Sequence, residues 1–317
     1  MTSCSQISGA PRSHDEPQVS VIVATYGRPA MLENALRSVA YLSAVTSVEL
    51  VLVDGAGDLR VAALARRFGA KLISGEDDGL YDAWNKGVAI ARGEVIGFLN
   101  DDDEYLPDVA ACLSAFLQST YAVLSCAALR AERPSSEKLV RVEPHPIGML
   151  NVVGTPNAIN ARFFRSDIVR RLPEFDDSLR IWADKAWLAE LYFHDPPTML
   201  CPKASYFYRT HAESLTMGRP ENREALGAER IKALTQSRAE ATSLRRRATL
   251  RLWLDLAHAH DILNSFRTGG HLSQRPDGGL LAWGIRIGFW LAVVGVPLIL
   301  HRRQILRRPR RRAIGLS

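Results

Sequence analysis

The stretch from Gly79 to Tyr105 constrains the fold more than any other part of the chain. It reads GLYDAWNKGVAIARGEVIGFLNDDDEY. A helical pattern ends at Gly93, and a mostly apolar strand of residues 94–99 follows. The strand ends in Asn100-Asp101-Asp102-Asp103-Glu104, where four consecutive carboxylates repel one another. Carboxylates at the carboxyl end of a strand suit a hard divalent cation, although a solvated acidic turn has the same composition.

The segments before this stretch alternate between strands and helices. Residues 19–24 are β-branched and apolar, which is typical of a buried parallel strand, and Pro29 suits the first position of the next helix. A strand of residues 48–53, a helix of residues 59–68 and a strand of residues 71–74 come next. This order predicts an α/β, doubly wound, Rossmann-like sheet.

The later part of the chain is less regular and predicts a second, mixed part of the sheet. Strand candidates cover residues 121–127, 138–142 and 157–164, and a helix candidate covers residues 186–193. Residues 219–267 have the pattern of charged helices.

Charge is unevenly distributed along the 317 residues. The net charge is +6, and seven arginines lie in the last 16 residues, which leaves −1 for the rest (+6 minus 7). The basic character is therefore local. It argues against a nucleic-acid-binding core and for an anionic membrane surface as the partner of the tail. The first 17 residues have no apolar segment of a signal peptide and are expected to be a disordered lead-in.

The four cysteines show neither C-x-x-C spacing nor a zinc pattern, and scattered thiols in a chain of this length indicate a reducing compartment. The glycines of Gly55-x-Gly57 follow a strand, as in dinucleotide-binding proteins. The third glycine position holds Arg60, however, and two glycines alone are weak evidence for a nicotinamide cofactor.

Five segments, taken in order, resemble family 2 glycosyltransferases of the GT-A fold, of the bacterial type that builds polysaccharides and glycolipids. They lie between Gln18 and Ser214 and read VSVIVATYGRP, ELVLVDGAGD, the stretch from Gly79 to Tyr105, WADKAWL and YRTHAES. The resemblance implies an inverting enzyme, a nucleotide-diphospho-sugar donor, a glycan or lipid-linked acceptor, and a divalent metal, Mg²⁺ or Mn²⁺.

The resemblance also implies roles for individual residues. Asp102 is expected to be the main metal ligand and His211 to complete the metal or diphosphate site. Asn100 stands in the first position of the D-x-D signature of the family, and Asp103 is expected to be a neighbour of the metal or a sugar contact. A carboxylate at Asp54 can accept the imide N–H of uracil, which favours a uridine donor. The expected nucleotide-sugar contacts are Thr25, Tyr26, Arg28, Asp54, Asp82, Asn85, Lys86, Asn100, Asp101 and Asp103.

In the family, the catalytic base is the Asp of an x-E-D segment. Here that segment is Trp182-Ala183-Asp184, so the resemblance assigns the base to Asp184, while the Glu is replaced by Ala183. Asp184 could also be the N-cap of the helix that follows, and Asp82 could be a first-turn carboxylate favoured by its helix dipole.

Residues 280–300 are apolar and long enough to span a bilayer, but Arg286 interrupts them and the arginine-rich tail follows. A cytosolic catalytic domain and a cytosolic tail favour a monotopic or re-entrant anchor over a single span or a buried packing helix. The expected domains are a lead-in, a GT-A domain, a helical extension, a linker and a membrane-associating segment. Their bounds are 1–17, 18–215, 216–268, 269–279 and 280–317.

The sequence therefore predicts an inverting glycosyltransferase, metal-dependent, at the cytosolic face of a membrane. Two alternatives stay open at this point. A nucleotidyltransferase shares carboxylates at strand ends, although residues 25–28 are a poor version of its glycine-rich basic loop. A non-catalytic membrane scaffold would keep the fold without the chemistry.

Overall fold

The computed structural model describes residues 16–132, 139–148, 159–211 and 220–268. Its strands belong to a nine-stranded sheet. The strands are β1 Val19–Thr25, β2 Val48–Asp54, β3 Lys71–Ser74, β4 Val95–Asn100, β5 Glu104–Tyr105, β6 Val123–Ala131, β7 Val140–Val142, β8 Arg162–Arg165 and β9 Thr198–Arg209. The helices are α1 Pro29–Ser38, α2 Ala40–Ser43, α3 Leu59–Phe68, α4 Leu80–Ile90, α5 Val109–Leu117, α6 Ser166–Val169, α7 Ala183–Phe193, α8 Pro220–Glu240 and α9 Leu244–Thr268.

Four parallel strands in the order β3-β2-β1-β4 form the first half of the sheet. Every residue of β1 is buried, as expected for a strand covered on both faces. In the register of the sheet, Thr25 lies beside Asp54 and Ala24 beside Asn100. Because parallel strands end at the same edge, the polar residues that follow β1, β2 and β4 meet there.

The second half of the sheet is mixed. Its order continues β8-β6-β9-β5, with β7 beside β6, and β8 runs antiparallel to both β4 and β6. The predicted doubly wound sheet with a mixed second part is confirmed. Strand β9 pairs with β6 along most of its length, although the chain bulges at Pro202 and Lys203 and again at Ser205.

Helix α4 packs on the sheet through two features of its sequence. Gly87 lies so close to β1 that a Cβ atom there would stand 2.4 Å from Cγ2 of Ile22. Trp84 is buried, and its ring centroid lies 4.8 Å from that of Phe98 and 5.4 Å from that of Phe175. These contacts fix the N-terminus of α4 near the carboxyl edge of the sheet.

The cysteines are closer together than their spacing in sequence indicated. The structure joins Cys112 of α5 to Cys201 of β9 by a disulfide, with 6.1 Å between the Cα atoms. The buried free thiol of Cys126 belongs to the same group, since the three sulfur atoms lie within 4.8 Å of one another. Three of the four cysteines, although scattered in sequence, are therefore grouped in space, because α5 packs against β9 and brings distant positions together.

The chain divides into two compact units between Glu229 and Arg230. None of the helices in the described residues is long and apolar enough to cross a membrane. The predicted membrane-associating segment of residues 280–300 and the arginine-rich tail lie outside the described residues, and the bounds proposed for the five domains stay predictions.

Candidate functional site

The acidic tip, residues 100–103, follows β4 at the carboxyl edge of the sheet. The hydroxyl of Thr25, at the end of the neighbouring β1, donates a hydrogen bond of 2.7 Å to Oδ2 of Asp101. Asp101 is buried, and burial raises the pKa of its carboxyl to about 6 although the positive charge of Arg28 acts in the opposite direction. The parallel register thus joins two of the predicted donor-binding residues directly.

Arg28, in the turn after β1, bridges two carboxylates of the tip. Its Nη2 lies 2.8 Å from Oδ1 of Asp101, and its Nη1 lies 3.1 Å from Oδ2 of Asp102. The Arg28 side chain is 33% exposed. A guanidinium placed between two carboxylates reduces the repulsion that the sequence of four acidic residues implies.

Asp102 and His211 come together although 109 residues separate them. Nε2 of His211 lies 2.8 Å from Oδ2 of Asp102, and both side chains keep some exposure, 17% and 13%. The structure thus places side by side the two residues expected to hold a metal.

Asp103 points away from that pair. It is buried and accepts hydrogen bonds from the hydroxyl of Tyr206 (2.6 Å), the backbone N–H of Arg209 (2.8 Å) and Nδ2 of Asn100 (3.1 Å). Burial raises its pKa well above the usual value. This geometry gives no support to the expected sugar contact, because the carboxylate faces the protein and ties the tip to β9.

The donor atoms at the tip fit a hard divalent cation. Oδ2 of Asp102 and Nε2 of His211 are 2.8 Å apart, and two neighbouring ligands that each lie about 2.1 Å from one ion are about 3 Å apart. Oδ1 of Asn100 is buried and has no hydrogen-bond partner in the part of the chain that the structure describes. Carboxylate, amide and imidazole donors of this kind suit Mg²⁺ or Mn²⁺.

Two further predicted donor-binding residues lie at the same edge. Asp54 is buried, and its two carboxylate oxygens accept hydrogen bonds from the backbone N–H groups of Ala56 (3.1 Å) and Asp58 (2.7 Å). The carboxylate therefore also shapes its own turn. Tyr26, the residue after β1, is 68% exposed, so its ring is open to a flat ligand.

The predicted residues of α4 divide into two groups. Asp82 and Lys86 form a partly exposed ion pair of 2.8 Å one turn apart. Asn85 instead bonds with both ends of its amide to the backbone of Phe175, at 2.8 and 2.9 Å. Asn85 thus joins α4 to the segment before α7, a use that the sequence did not indicate.

Asp184 lies in the first turn of α7. Trp182 takes the N-cap position and Asp184 follows two residues later, so the N-cap interpretation of Asp184 is wrong. Burial raises the pKa of Asp184, and Lys185 opposes that shift. The hydroxyl of Tyr81, in the first turn of α4, donates to the carbonyl of Ile181 (2.8 Å) and lies 3.4 Å from Oδ1 of Asp184.

Sequence reasoning missed several residues around the site. Arg209 donates from Nε to the carbonyl of Asp102 (3.0 Å) and forms an ion pair with Glu104. Glu229 accepts hydrogen bonds from three successive backbone N–H groups, those of residues 180, 181 and 182, at 3.0, 2.7 and 3.0 Å. Arg209 stands in the YRTHAES segment, where the resemblance gave it no role, and Glu229 lies outside all five segments. Only their contacts in three dimensions identify them.

Comparison with known proteins identifies sequences and structures that this chain resembles. The model of the family "Glycosyl transferase family 2" matches residues 20–172. A putative glycosyltransferase EpsH of Bacillus subtilis is 34% identical over 101 residues, which are 30% of this chain and 28% of that protein. A PGL/p-HBAD biosynthesis glycosyltransferase of Mycobacterium bovis is 37% identical over 108 residues, 32% of this chain and 42% of that protein. The chain thus spans less than half the length of these relatives.

Solved structures resemble this chain over most of its length. TarS 1–349 of S. aureus, in complex with UDP-GlcNAc, has a TM-score of 0.59 at 17% identity, covering 78% of this chain and 75% of that one. The mannosyltransferase PcManGT of Pyrobaculum calidifontis, in complex with GDP-Man and Mn²⁺, has a TM-score of 0.51 at 16% identity and covers 90% and 83%. At this identity the likeness shows the fold alone, and the predicted GT-A fold is confirmed.

Proposed function

Since this chain belongs to glycosyltransferase family 2, we propose that it is an inverting enzyme that transfers one sugar from a nucleotide-diphospho-sugar. The acceptor is a hydroxyl of a lipid-linked, glycolipid or polysaccharide molecule at the cytosolic face of a membrane. The observation that carries the proposal is the acidic tip, where the partly exposed Asp102 lies against His211 and Arg28 at the carboxyl edge of the sheet. Ligands of open α/β sheets bind at this edge.

The named relatives support the class of donor and acceptor. One works in the biosynthesis of PGL/p-HBAD, and the structural neighbours bind UDP-GlcNAc, UDP or GDP-Man. Asp54 favours uridine, because a carboxylate accepts the imide N–H of uracil. Tyr26 offers an exposed ring for stacking against the base.

Asp102 and His211 would hold the divalent metal. When bound, this ion neutralises the diphosphate as the bond between sugar and phosphate breaks. Asn100 offers its buried Oδ1 to the same region. Thr25 holds Asp101 in place through its hydroxyl.

Asp184 is the proposed base. It accepts the proton of the acceptor hydroxyl while that oxygen attacks the anomeric carbon, and attack from the face opposite the leaving diphosphate inverts the configuration. Burial raises the pKa of Asp184, which makes its carboxylate a stronger base. The hydroxyl of Tyr81, 3.4 Å from Oδ1, helps to orient the carboxylate.

The membrane part of the proposal rests on the C-terminal sequence. Residues 280–300 are apolar and the seven arginines after them attract anionic headgroups. The rest of the chain has a net charge near −1. The attraction to anionic headgroups therefore comes from the tail.

The deciding experiment compares the wild type with the Asp184→Asn variant in sugar transfer from radiolabelled UDP- and GDP-sugars to lipid-linked acceptors. We expect D184N to lower kcat by about 10³-fold, the scale of a lost general base, while UDP binding persists. Asp167→Asn changes a surface carboxylate that is 70% exposed and is the matched control. Equal turnover in D184N and the wild type would remove Asp184 from the mechanism.

The pH profile gives a second readout of the same experiment. The base must be ionised, so kcat/KM falls as the pH falls through the pKa of Asp184. Because burial raises that pKa, the acidic limb lies above the range of an ordinary aspartate, about 3.9. The limb disappears in the residual activity of D184N. If the acidic limb of the profile were unchanged in D184N, the group that titrates there would not be Asp184.

A further inference from the structure

We infer that Arg28 is an internal counter-ion that competes with the divalent metal for the acidic tip and moves to the diphosphate when donor and metal bind. The inference rests on the proposed function and adds a linkage between the two ligands. Arg28 already lies where a cation would bind, with contacts of 2.8 Å to Asp101 and 3.1 Å to Asp102.

One carboxylate oxygen is shared by Arg28 and His211. Nη1 of Arg28 lies 3.1 Å from Oδ2 of Asp102, and Nε2 of His211 lies 2.8 Å from the same atom. An ion that takes Oδ2 and Nε2 as neighbouring ligands leaves their separation almost unchanged. The positive guanidinium, by contrast, would repel the ion and must leave, since two cations at one oxygen repel each other.

The tip keeps its shape without Arg28. Asp101 retains the hydroxyl of Thr25 at 2.7 Å, and the carbonyl of Asp102 retains the Nε donor of Arg209 at 3.0 Å. Asp103 retains three donors of its own. Arg28 is therefore one of several residues that hold the tip. Its loss should remove a positive charge while the other hydrogen bonds keep the tip folded.

Arg28 has the freedom to change partners. Its side chain is 33% exposed, and it occupies the N-cap position of α1 without a capping hydrogen bond from its side chain. A guanidinium binds phosphate oxygens through two parallel hydrogen bonds as well as it binds carboxylates. A diphosphate at the carboxyl edge would thus take over Arg28 while the metal takes over Asp102.

The test measures two affinities that must change in opposite directions. Binding of Mn²⁺ alone is followed by the electron paramagnetic resonance signal of the free ion, at the same pH for every variant. Binding of UDP and of GDP is followed by calorimetry with Mn²⁺ in excess. We expect Arg28→Ala to bind Mn²⁺ roughly two- to fivefold more tightly, the scale of one partly exposed ion pair. The same variant should bind the nucleotide at least about tenfold more weakly.

Two further variants make the result specific. Arg28→Lys keeps the charge but cannot bridge two carboxylates, so its Mn²⁺ affinity should lie between those of the wild type and R28A. Arg60→Ala removes a surface arginine that is 72% exposed and should change neither affinity. Circular dichroism checks that R28A is folded, and R28K serves if it is not.

The outcomes separate the inference from the proposed function. An unchanged or weaker Mn²⁺ affinity in folded R28A, or in R28K, would overturn the role of Arg28 as a competitor, whatever the nucleotides do. A wild type that binds neither UDP nor GDP would overturn the proposed donor instead, while the Mn²⁺ comparison would still test Arg28.

Discussion

Neighbouring aspartates of the acidic tip have different environments, and the difference decides what each can do. Asp102 keeps 13% of its side chain exposed and faces His211 and Arg28, whereas Asp103 is buried against Tyr206. The sequence letters are identical at both positions. Only the direction of each side chain after β4 separates a residue open to ligands from one that holds the tip to β9.

The first prediction concerns the support of Asp103. Tyr206→Phe removes the 2.6 Å hydrogen bond to Asp103 and the acceptor for Nδ2 of Asn160. A buried carboxylate that loses a donor should lower the free energy of unfolding by about 1–3 kcal/mol. The free energy of unfolding is measured by urea denaturation, with tryptophan fluorescence as the signal.

A second tyrosine gives the matched control. The hydroxyl of Tyr105 is buried without a hydrogen-bond partner in the described residues, and its ring lies 5.8 Å from that of Tyr206. Tyr105→Phe should therefore leave the stability unchanged or raise it, because it removes an unsatisfied polar group. Equal losses in Y206F and Y105F would mean that packing, not the bond to Asp103, sets the cost.

At the scale of elements, the contact between α4 and β1 places the polar first turn of α4 at the sheet edge. Gly87 is the position where the helix comes closest to β1. Gly55, directly after β2, is close to the carboxylate of Asp77, because a Cβ atom at Gly55 would stand 2.1 Å from Oδ2 of that side chain. The lack of space for a side chain therefore explains the glycine at position 55, and a dinucleotide site is not needed to explain it.

The prediction at this scale is that Gly87→Ala destabilises the protein. The new methyl group would stand 2.4 Å from Cγ2 of Ile22, and overpacking of this kind costs about 1–3 kcal/mol despite the better helix propensity of alanine. Thermal and urea unfolding measure the loss.

Ile22→Ala provides the test of the cause. The double variant with I22A should lose less stability than the sum of the two single variants, because the atoms that clash are gone. Additive losses would show that the methyl group is accommodated without contact to β1.

At the scale of the whole molecule, the proposed base depends on a residue far along the chain. Glu229 lies beyond the family match of residues 20–172 and beyond residue 215, where the predicted GT-A domain ends. Its carboxylate accepts hydrogen bonds from the backbone N–H groups of residues 180–182, shortly before Asp184. The position of the proposed base therefore depends on a residue of α8 as well as on the sheet.

We predict that Glu229→Ala exposes this segment. Loss of three charge-assisted hydrogen bonds should lower the free energy of unfolding by about 2–4 kcal/mol and speed amide exchange at residues 180–182. Mass spectrometry of hydrogen–deuterium exchange measures the second effect. Glu229→Gln keeps one acceptor oxygen and should be intermediate.

Glu174→Ala, at an exposed position near the same segment, is the control and should leave exchange at residues 180–182 unchanged. Exchange that is as slow in E229A as in the wild type would mean that the three N–H groups have other acceptors.

The sequence by itself determined the order of strands and helices from Val19 to Asn100. Burial on both faces requires the continuous apolar runs of β1, β2 and β4, and such runs are visible in the letters. The polar residues at the strand ends could be expected to meet for the same reason, since parallel strands end at one edge. The acidic tip was identified from its place at the end of a strand. Asp184 and His211 were identified from the motifs that resemble the family.

Only the tertiary structure decided which of these side chains face each other. The bond between Asn85 and Phe175, the burial of Asp103, the group of three cysteines and the contact of Glu229 all join positions tens of residues apart. Such contacts follow from how helices pack on the sheet, and helical or strand periodicity carries no information about partners so distant in the chain. Local physics thus fixed the elements of this protein, and packing fixed the environment of each charge in its site.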